Sequence, residues 1–304
     1  MKKTLVILFS IFLLTGCTTY VKDGKTPVKN ENTGQNLTQN ILCKPTYEST
    51  IKQYTENGVN LDKLSECNDF KLSDGNYNDL WESLFVKPIA LVILKINNLV
   101  GNAGISIILV GLFFKAILLP ISMKSASQSE RMKKAKPELE TLEKKYSGKT
   151  DTDSMMKKNR EMLLIHKKHG ISMGVGCITG LIQMPILFAI IEAVNRIPTV
   201  FEGEFLGLSL GTTPYYGVTH GEYIYIILAI IIIFITYISF MFTSKDMPLE
   251  QQKQMKTMQN VMLLAITISA FFFPTATALY FMTSSAFSIV QNLLIKKVKL
   301  KNAK

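Results

Sequence analysis

The amino-acid sequence predicts an all-α membrane protein, a bundle of five transmembrane helices with a cytoplasmic helical hairpin. Two observations predict this fold class: long uncharged apolar runs, and basic residues crowded into alternate connections. Hydrophobic residues make up 47% of the 304 residues, a share spread evenly in most soluble domains but clustered here. A run of about 20 apolar residues spans about 30 Å of hydrocarbon.

The apolar runs give the expected number of spans. Residues 257–295 contain 39 residues without Asp, Glu, Lys or Arg, which is close to twice a bilayer thickness at about 1.5 Å per residue. Two helices are therefore expected there, and Pro274 is the expected break because proline interrupts the helical hydrogen bonds. The predicted spans are residues 103–123, 171–192, 223–242, 257–273 and 275–295.

The distribution of basic residues predicts the topology. Residues 124–170, the predicted hairpin, carry 13 Lys and Arg, whereas residues 196–222 carry only Arg196. The residues 299–304 form a further basic tail. By the positive-inside rule, the N-terminal region lies outside the bacterial cytoplasmic membrane and the C-terminus lies in the cytoplasm. The net charge of +11 is thereby explained without a sequence-specific nucleic-acid partner.

The N-terminal segment has the pattern of a bacterial lipoprotein signal peptide, residues 1–16. Lys2 and Lys3 precede a short apolar stretch that ends at Leu14-Thr15-Gly16-Cys17, and this stretch is too short for a stable span. The end of the stretch resembles a lipobox, in which Cys17 receives a diacylglyceryl group and becomes the mature N-terminus. The alternative is an ordinary signal peptide with an incidental cysteine.

Residues 17–76 are rich in polar residues and predict a flexible extracytoplasmic segment. Cys43 and Cys67 lie in this segment. In an oxidising compartment they can pair, and closing such a loop contributes about 3.5 kcal/mol by chain entropy. Two free thiols are the alternative.

Lys115 is the single charged residue of the first predicted span. A lysine at membrane depth costs about 2.5 to 3.5 kcal/mol on insertion scales, so Lys115 is expected to face water or a partner. The alternative is a lysine that reaches the interface along its stem. The sequence contains no nucleophile with a paired base, no phosphate loop and no cluster of metal ligands, and we therefore expect neither enzymatic chemistry nor a cofactor or metal.

Several short segments occur in an order that resembles a known family. They are Gly111 to Pro120, the basic hairpin, Lys168-His169-Gly170, Gly176-Cys177, Leu181 to Ile186, Pro248 with Gln251-Gln252-Lys253, Phe273-Pro274, Ala278-Leu279-Tyr280 and Ile289 to Leu294. In this order the sequence resembles the YidC family of membrane protein insertases, which is related to the Oxa and Alb proteins of mitochondria and chloroplasts. The resemblance covers residues 77–298.

The resemblance implies a hydrophilic groove that receives client membrane proteins. On the matching positions, the groove residues would be Lys115, Gln183, Tyr280, Phe281, Thr283 and Ser284. Clients and membrane lipids are the implied partners, and partnership with the Sec translocon and the ribosome is left open. The family usually has an arginine at the position of Lys115, which is compatible with a specialised second copy. A small-anion transporter or channel is the alternative function.

Overall fold

The structure is a computed structural model, which describes residues 19–74, 79–172, 174–244, 260–261, 263–264 and 266–302. Cys17 and the signal peptide lie outside these residues. The chain divides into two compact units. Unit 1 comprises Met1–Phe113, Gln183–Ile232 and Ile268–Thr283, and unit 2 comprises Phe114–Ile182, Ile233–Thr267 and Ser284–Lys304.

Helices dominate the described residues. In chain order they are α1 (Glu48–Glu56), α2 (Lys87–Val100), α3 (Ala103–Ile117), α4 (Leu119–Lys145), α5 (Thr152–Lys168), α6 (Gly174–Arg196), α7 (Pro198–Phe201), α8 (Pro214–Thr219), α9 (Ile224–Ser244) and α10 (Thr275–Asn302). A 3₁₀ turn covers Cys67–Asp69, a π-helical turn covers Glu82–Val86, and residues 266–272 are also helical. Two antiparallel hairpins pair β1 (Lys22–Asp23) with β2 (Thr26–Pro27) and β3 (Glu204–Phe205) with β4 (Leu208–Ser209).

Pro120 and Pro274 lie where two helices of the predicted spans begin. The first predicted span is divided at Leu118, and α4 starts at Leu119 with Pro120 in its first turn. Proline is tolerated there because the first amides of a helix have no intrahelical partner. α10 begins directly after Pro274, where the Thr275 and Ala276 amides donate to the carbonyls of Thr212 and Leu210.

One helix of the described residues has the length and composition of a membrane span. Among the described residues, Glu82–Val100 is the helix that is long and apolar enough to cross a membrane by length and composition, and Ala103–Ile117 and Ile224–Ser239 are shorter apolar helices. The sequence predicts an interfacial helix over 79–98, and length and composition alone do not separate a span from such a helix. The number of five spans stays a prediction.

Residues 19–74 are folded in unit 1, which differs from the flexible segment that the composition predicts. Their apolar residues form a core with Phe201 of α7. The buried members are Val21, Leu37, Ile41, Tyr54 and Leu61. The composition does not predict this fold, because the core is completed by Phe201, far along the chain, and because the core residues of the segment are scattered among polar residues.

Polar contacts and a disulfide complete this folded segment, which we call the outer segment (residues 19–74). Cys43 and Cys67 form a disulfide with a Cα–Cα distance of 4.9 Å. The carboxylate of Glu202 accepts the backbone N–H groups of Thr46 at 2.9 Å and Tyr47 at 3.2 Å. Burial raises the pKa of Glu202 above its ordinary value, while these amides favour the ionised form. The outer segment is therefore fixed to the connection that follows α6.

Unit 2 contains a helical hairpin, formed by α4 and α5, where the sequence pattern predicts one. Ala135, Leu139 and Leu142 of α4 are buried. The Asp151 carboxylate caps α5 by accepting the Ser154 amide at 2.8 Å, which satisfies a free donor at the start of the helix. The hairpin is a defined pair of helices.

Candidate functional site

Lys115 lies near the end of α3, and its side chain is half-buried in unit 2. The Lys115 Nζ donates to the Ser288 Oγ at 3.3 Å. The Ser288 hydroxyl in turn donates to the Ser284 carbonyl at 2.9 Å, which leaves its lone pairs directed at the ammonium group. The lysine is thus held by a hydroxyl rather than by a carboxylate, and its positive charge is not neutralised by this contact.

A second polar contact joins Gln291 of α10 to Ser122 of α4, seven residues beyond Lys115. The Gln291 Nε2 donates to the Ser122 Oγ at 2.7 Å, and the Ser122 hydroxyl donates to the Leu119 carbonyl at 2.9 Å. Ser284, Ser288 and Gln291 are spaced by four and three residues, so they share one face of α10. Together with Lys115 and Ser122 they form what we call the polar track, about 10 Å long on each side.

The predicted groove residues of unit 1 form a separate group. The Gln183 Nε2 donates to the Tyr280 hydroxyl at 3.4 Å, and the Phe281 ring meets the Tyr280 ring edge-on at 6.1 Å. The Thr283 hydroxyl donates to the Leu279 carbonyl of its own helix at 2.8 Å and is buried. Tyr280 is 2% exposed, so the side chains of Tyr280 and Thr283 are both buried in unit 1, and their place in a groove stays a prediction.

Gly111 explains how α3 and α10 come together in unit 1. A Cβ at Gly111 would lie 3.3 Å from the Thr283 Cγ2 and 3.4 Å from the Tyr280 Cδ2, which is tighter than an ordinary contact. Small residues let membrane helices approach closely in this way. The absence of a side chain at residue 111 therefore serves helix packing.

Three of the track residues were missed by the sequence reasoning. Lys115 and Ser284 were expected in the groove, whereas Ser122, Ser288 and Gln291 were not assigned to it. The sequence pattern could have indicated Gln291, because this residue continues the spacing of Ser284 and Ser288 on an otherwise apolar helix. No comparable pattern marks Ser122.

The hairpin of unit 2 carries ion pairs that hold α4 against α5. The Glu161 carboxylate accepts from Lys145 at 2.7 Å and from Tyr146 at 2.9 Å. The Glu138 carboxylate contacts Lys168 at 2.9 Å and His169 at 3.0 Å. Hydrogen bonds from these partners lower the pKa of Glu138 and of Glu161. The remaining lysines of the hairpin give it a basic surface.

Unit 1 contains a buried ion cluster that the sequence did not reveal. Arg196, 2% exposed, pairs through its guanidinium with Glu82 and lies 3.8 Å from the Glu192 carboxylate. The Arg196 Nε donates to the Asn40 carbonyl at 2.6 Å, and the Trp81 Nε1 donates to Glu192 at 3.2 Å. This Arg196 cluster joins α6, the turn before α2 and the outer segment.

Comparison with known proteins places the chain in a family. The family model described as the 60Kd inner membrane protein matches residues 95–303. The chain belongs to the 60Kd inner membrane protein family. This confirms the resemblance to the YidC family, because curated members of similar sequence carry that name.

Members of the 60Kd inner membrane protein family match most of the chain. The membrane protein insertase YidC of Oceanobacillus iheyensis is 33% identical over 225 residues, which are 73% of this chain and 86% of that protein. The membrane protein insertase MisCA of Bacillus subtilis is 33% identical over 223 residues, which are 73% of this chain and 81% of that protein.

A solved member of the 60Kd inner membrane protein family has a similar fold. The crystal structure of an active YidC insertase with its first transmembrane domain resolved matches with a TM-score of 0.53 at 20% identity. The match covers 70% of this chain and 46% of that chain, and at this identity it shows the fold alone. The mostly helical architecture expected from the sequence is thereby confirmed.

Proposed function

We propose that the chain is a membrane protein insertase of the bacterial cytoplasmic membrane, and that clients enter along the polar track. The contact that supports this proposal is Lys115 on Ser288, a cation held by a hydroxyl inside an otherwise apolar stretch. The relatives from Oceanobacillus iheyensis and Bacillus subtilis are named insertases and are matched over 86% and 81% of their length.

The mechanism follows from the cost of moving polar groups through hydrocarbon. A short polar segment of a client exchanges water for the hydroxyl, amide and ammonium groups of the polar track, so it avoids part of the penalty for unpaired polar groups in lipid. Lys115 attracts acidic residues of that segment, because charges interact strongly where water is scarce. Burial of the client's apolar span in lipid then favours release.

The proposed topology places the outer segment outside the cell and the hairpin and the C-terminal tail in the cytoplasm. The basic surface of the hairpin meets clients and anionic lipid head groups.

The proposal also includes five spans with a hydrophilic groove, no nucleotide or metal chemistry, and a role as a chaperone for clients. Sec translocon and ribosome are further candidate partners. Lys115 in place of the family's usual arginine supports a specialised second copy. The small-anion transporter or channel is not favoured, because the relatives are named insertases.

Site-specific cross-linking tests whether clients use the polar track. A photoreactive residue at Ser288 should capture a client that is halted during insertion, because Ser288 contacts Lys115. The same residue at Val290, which is 54% exposed on another face of α10, should capture lipid instead. The two positions lie at nearly the same depth, so Val290 is the matched control. Equal capture of the client from both positions would contradict the proposal.

Lipidation of Cys17 is a separate expectation. Cys17→Ala should abolish incorporation of labelled fatty acid and leave the signal peptide uncleaved, because the thiol is the only acceptor in the lipobox. Cys177→Ala, which removes a cysteine outside the lipobox, should leave labelling unchanged. The measurement is autoradiography of the immunopurified protein, and persistent labelling of Cys17→Ala would exclude this lipid anchor.

A further inference from the structure

The turn between β3 and β4 has an unusual residue. Leu206 adopts a φ of +53° and Gly207 a φ of +76°. Two-residue hairpin turns with positive φ usually contain Asn, Asp or Gly, because a Cβ is disfavoured in the left-handed region. Leu206 is also 81% exposed. A leucine therefore occupies a turn in which a small polar residue would suit both the backbone and an aqueous surface.

The hairpin is fixed to the start of α3 rather than projecting freely. A Cβ at Gly104 would lie 2.4 Å from the Phe205 ring, so the absence of a side chain at Gly104 lets Phe205 pack against the helix. The Asn102 Nδ2 donates to the Glu204 carbonyl at 3.4 Å. These contacts lie within unit 1 and hold Leu206 beside the end at which α3 begins.

An exposed apolar stripe on α3 begins at this same end of the helix. Ile105, Leu109 and Leu112 are 37 to 40% exposed and are spaced by four and three residues, which places them on one face of the helix. The neighbouring Leu99, at the end of α2, is 85% exposed. An exposed apolar face on a helix of a membrane protein is the face that contacts lipid, and Leu206 lies beside its first turn.

We infer that the Leu206–Gly207 turn is a membrane anchor whose leucine inserts into the outer leaflet, at the boundary between head groups and acyl chains. A lipid surface accounts for both the exposure of Leu206 and its positive φ. Burial of the leucine side chain in lipid is favourable and offsets the cost of the strained turn. Glu204, which is exposed at the base of the hairpin, keeps that base in water and limits the depth to about 5 to 10 Å. The anchor fixes the outer end of α3, the helix that carries Lys115.

The inference rests on the proposed orientation of the membrane protein but not on insertion activity. Its first test is fluorescence of Leu206→Trp in vesicles that contain phosphatidylcholine brominated on its acyl chains. Leu72→Trp, at a 49% exposed leucine of the outer segment, is the matched control. The unaltered protein gives the signal of Trp81, to be subtracted. The Leu206→Trp emission should be quenched several-fold more strongly than that of Leu72→Trp. Equal quenching would overturn the inference.

A second test does not require a tryptophan in the strained turn. Leu206→Cys and Leu72→Cys are treated with a membrane-impermeant maleimide in intact cells, and the unaltered protein gives the background of its own cysteines. Position 206 should react several-fold more slowly than position 72, and the difference should vanish in detergent. Equal rates in cells would overturn the anchor. Slow labelling of position 72 until the cells are opened would instead overturn the outward orientation, and with it the assignment to the outer leaflet.

Discussion

Replacing Lys115 with alanine is expected to reduce insertion of a client with an acidic outer segment by about tenfold or more. At an effective dielectric constant near 20, two opposite charges about 4 Å apart interact by about 4 kcal/mol, and a third of that energy already corresponds to about tenfold. A client with a neutral outer segment should be inserted nearly as well as before. Lys115→Arg should retain activity, because the charge is kept, and Lys115→Glu should fail through repulsion.

The assay compares the two clients in cells depleted of their main insertase, at matched levels of each variant. Lys52→Ala is the control, because it removes a cation from an exposed position of α1, outside the polar track and the hairpin. The Ser288 hydroxyl still donates to the Ser284 carbonyl in Lys115→Ala, so the thermal stability should change little. If Lys115→Ala inserts both clients as efficiently as the unaltered protein, Lys115 is only an interfacial anchor.

Arg196→Leu is expected to destabilise unit 1 by about 3 to 5 kcal/mol, because it removes the guanidinium that pairs with the buried carboxylate of Glu82. The Arg196 and Glu82 side chains are 2% and 3% exposed, so water cannot replace the guanidinium. The substitution also removes the donor to the Asn40 carbonyl, and the outer segment should therefore become sensitive to protease. Arg196→Lys should recover part of the loss, since it restores the charge without the planar fork.

The measurement is thermal unfolding in lipid nanodiscs, combined with limited proteolysis of the outer segment. Lys44→Ala is the control, because the Lys44–Glu66 pair is 3.8 Å apart and exposed at both ends. Such a pair contributes only about 0 to 1 kcal/mol. Equal stability of Arg196→Leu and Lys44→Ala would mean that the Arg196 cluster does not support the fold.

The features that the sequence predicted are those that depend on local pattern. The apolar runs, the basic hairpin and the break at Pro274 are each visible within a short stretch of residues, because helix formation and proline geometry act locally. Lys115 was conspicuous for the same reason, as a single charge in an apolar run. These features led to the correct family.

The features that the sequence did not predict depend on partners far apart in the chain. Arg196 and Glu82 are separated by 114 residues, and nothing near either one indicates a buried pair. The outer segment looked flexible because Phe201 supplies part of its core. The Thr283 hydroxyl donates to the Leu279 carbonyl of its own helix, and the Thr283 side chain packs beside Gly111 of α3, a contact between residues 172 positions apart.

The first core residue of the outer segment lies close in sequence to Cys17, the predicted site of lipidation. Val21, 1% exposed, already belongs to the folded core, and Tyr20 pairs with Thr38 in an isolated bridge. Three peptide units separate Cys17 from Tyr20, a reach of at most about 10 Å. If Cys17 is acylated, its acyl chains hold the outer segment close to the bilayer, because the connecting peptide is too short to act as a flexible linker. Movement of the outer segment away from the membrane would then require either extraction of the acyl chains or unfolding of this core.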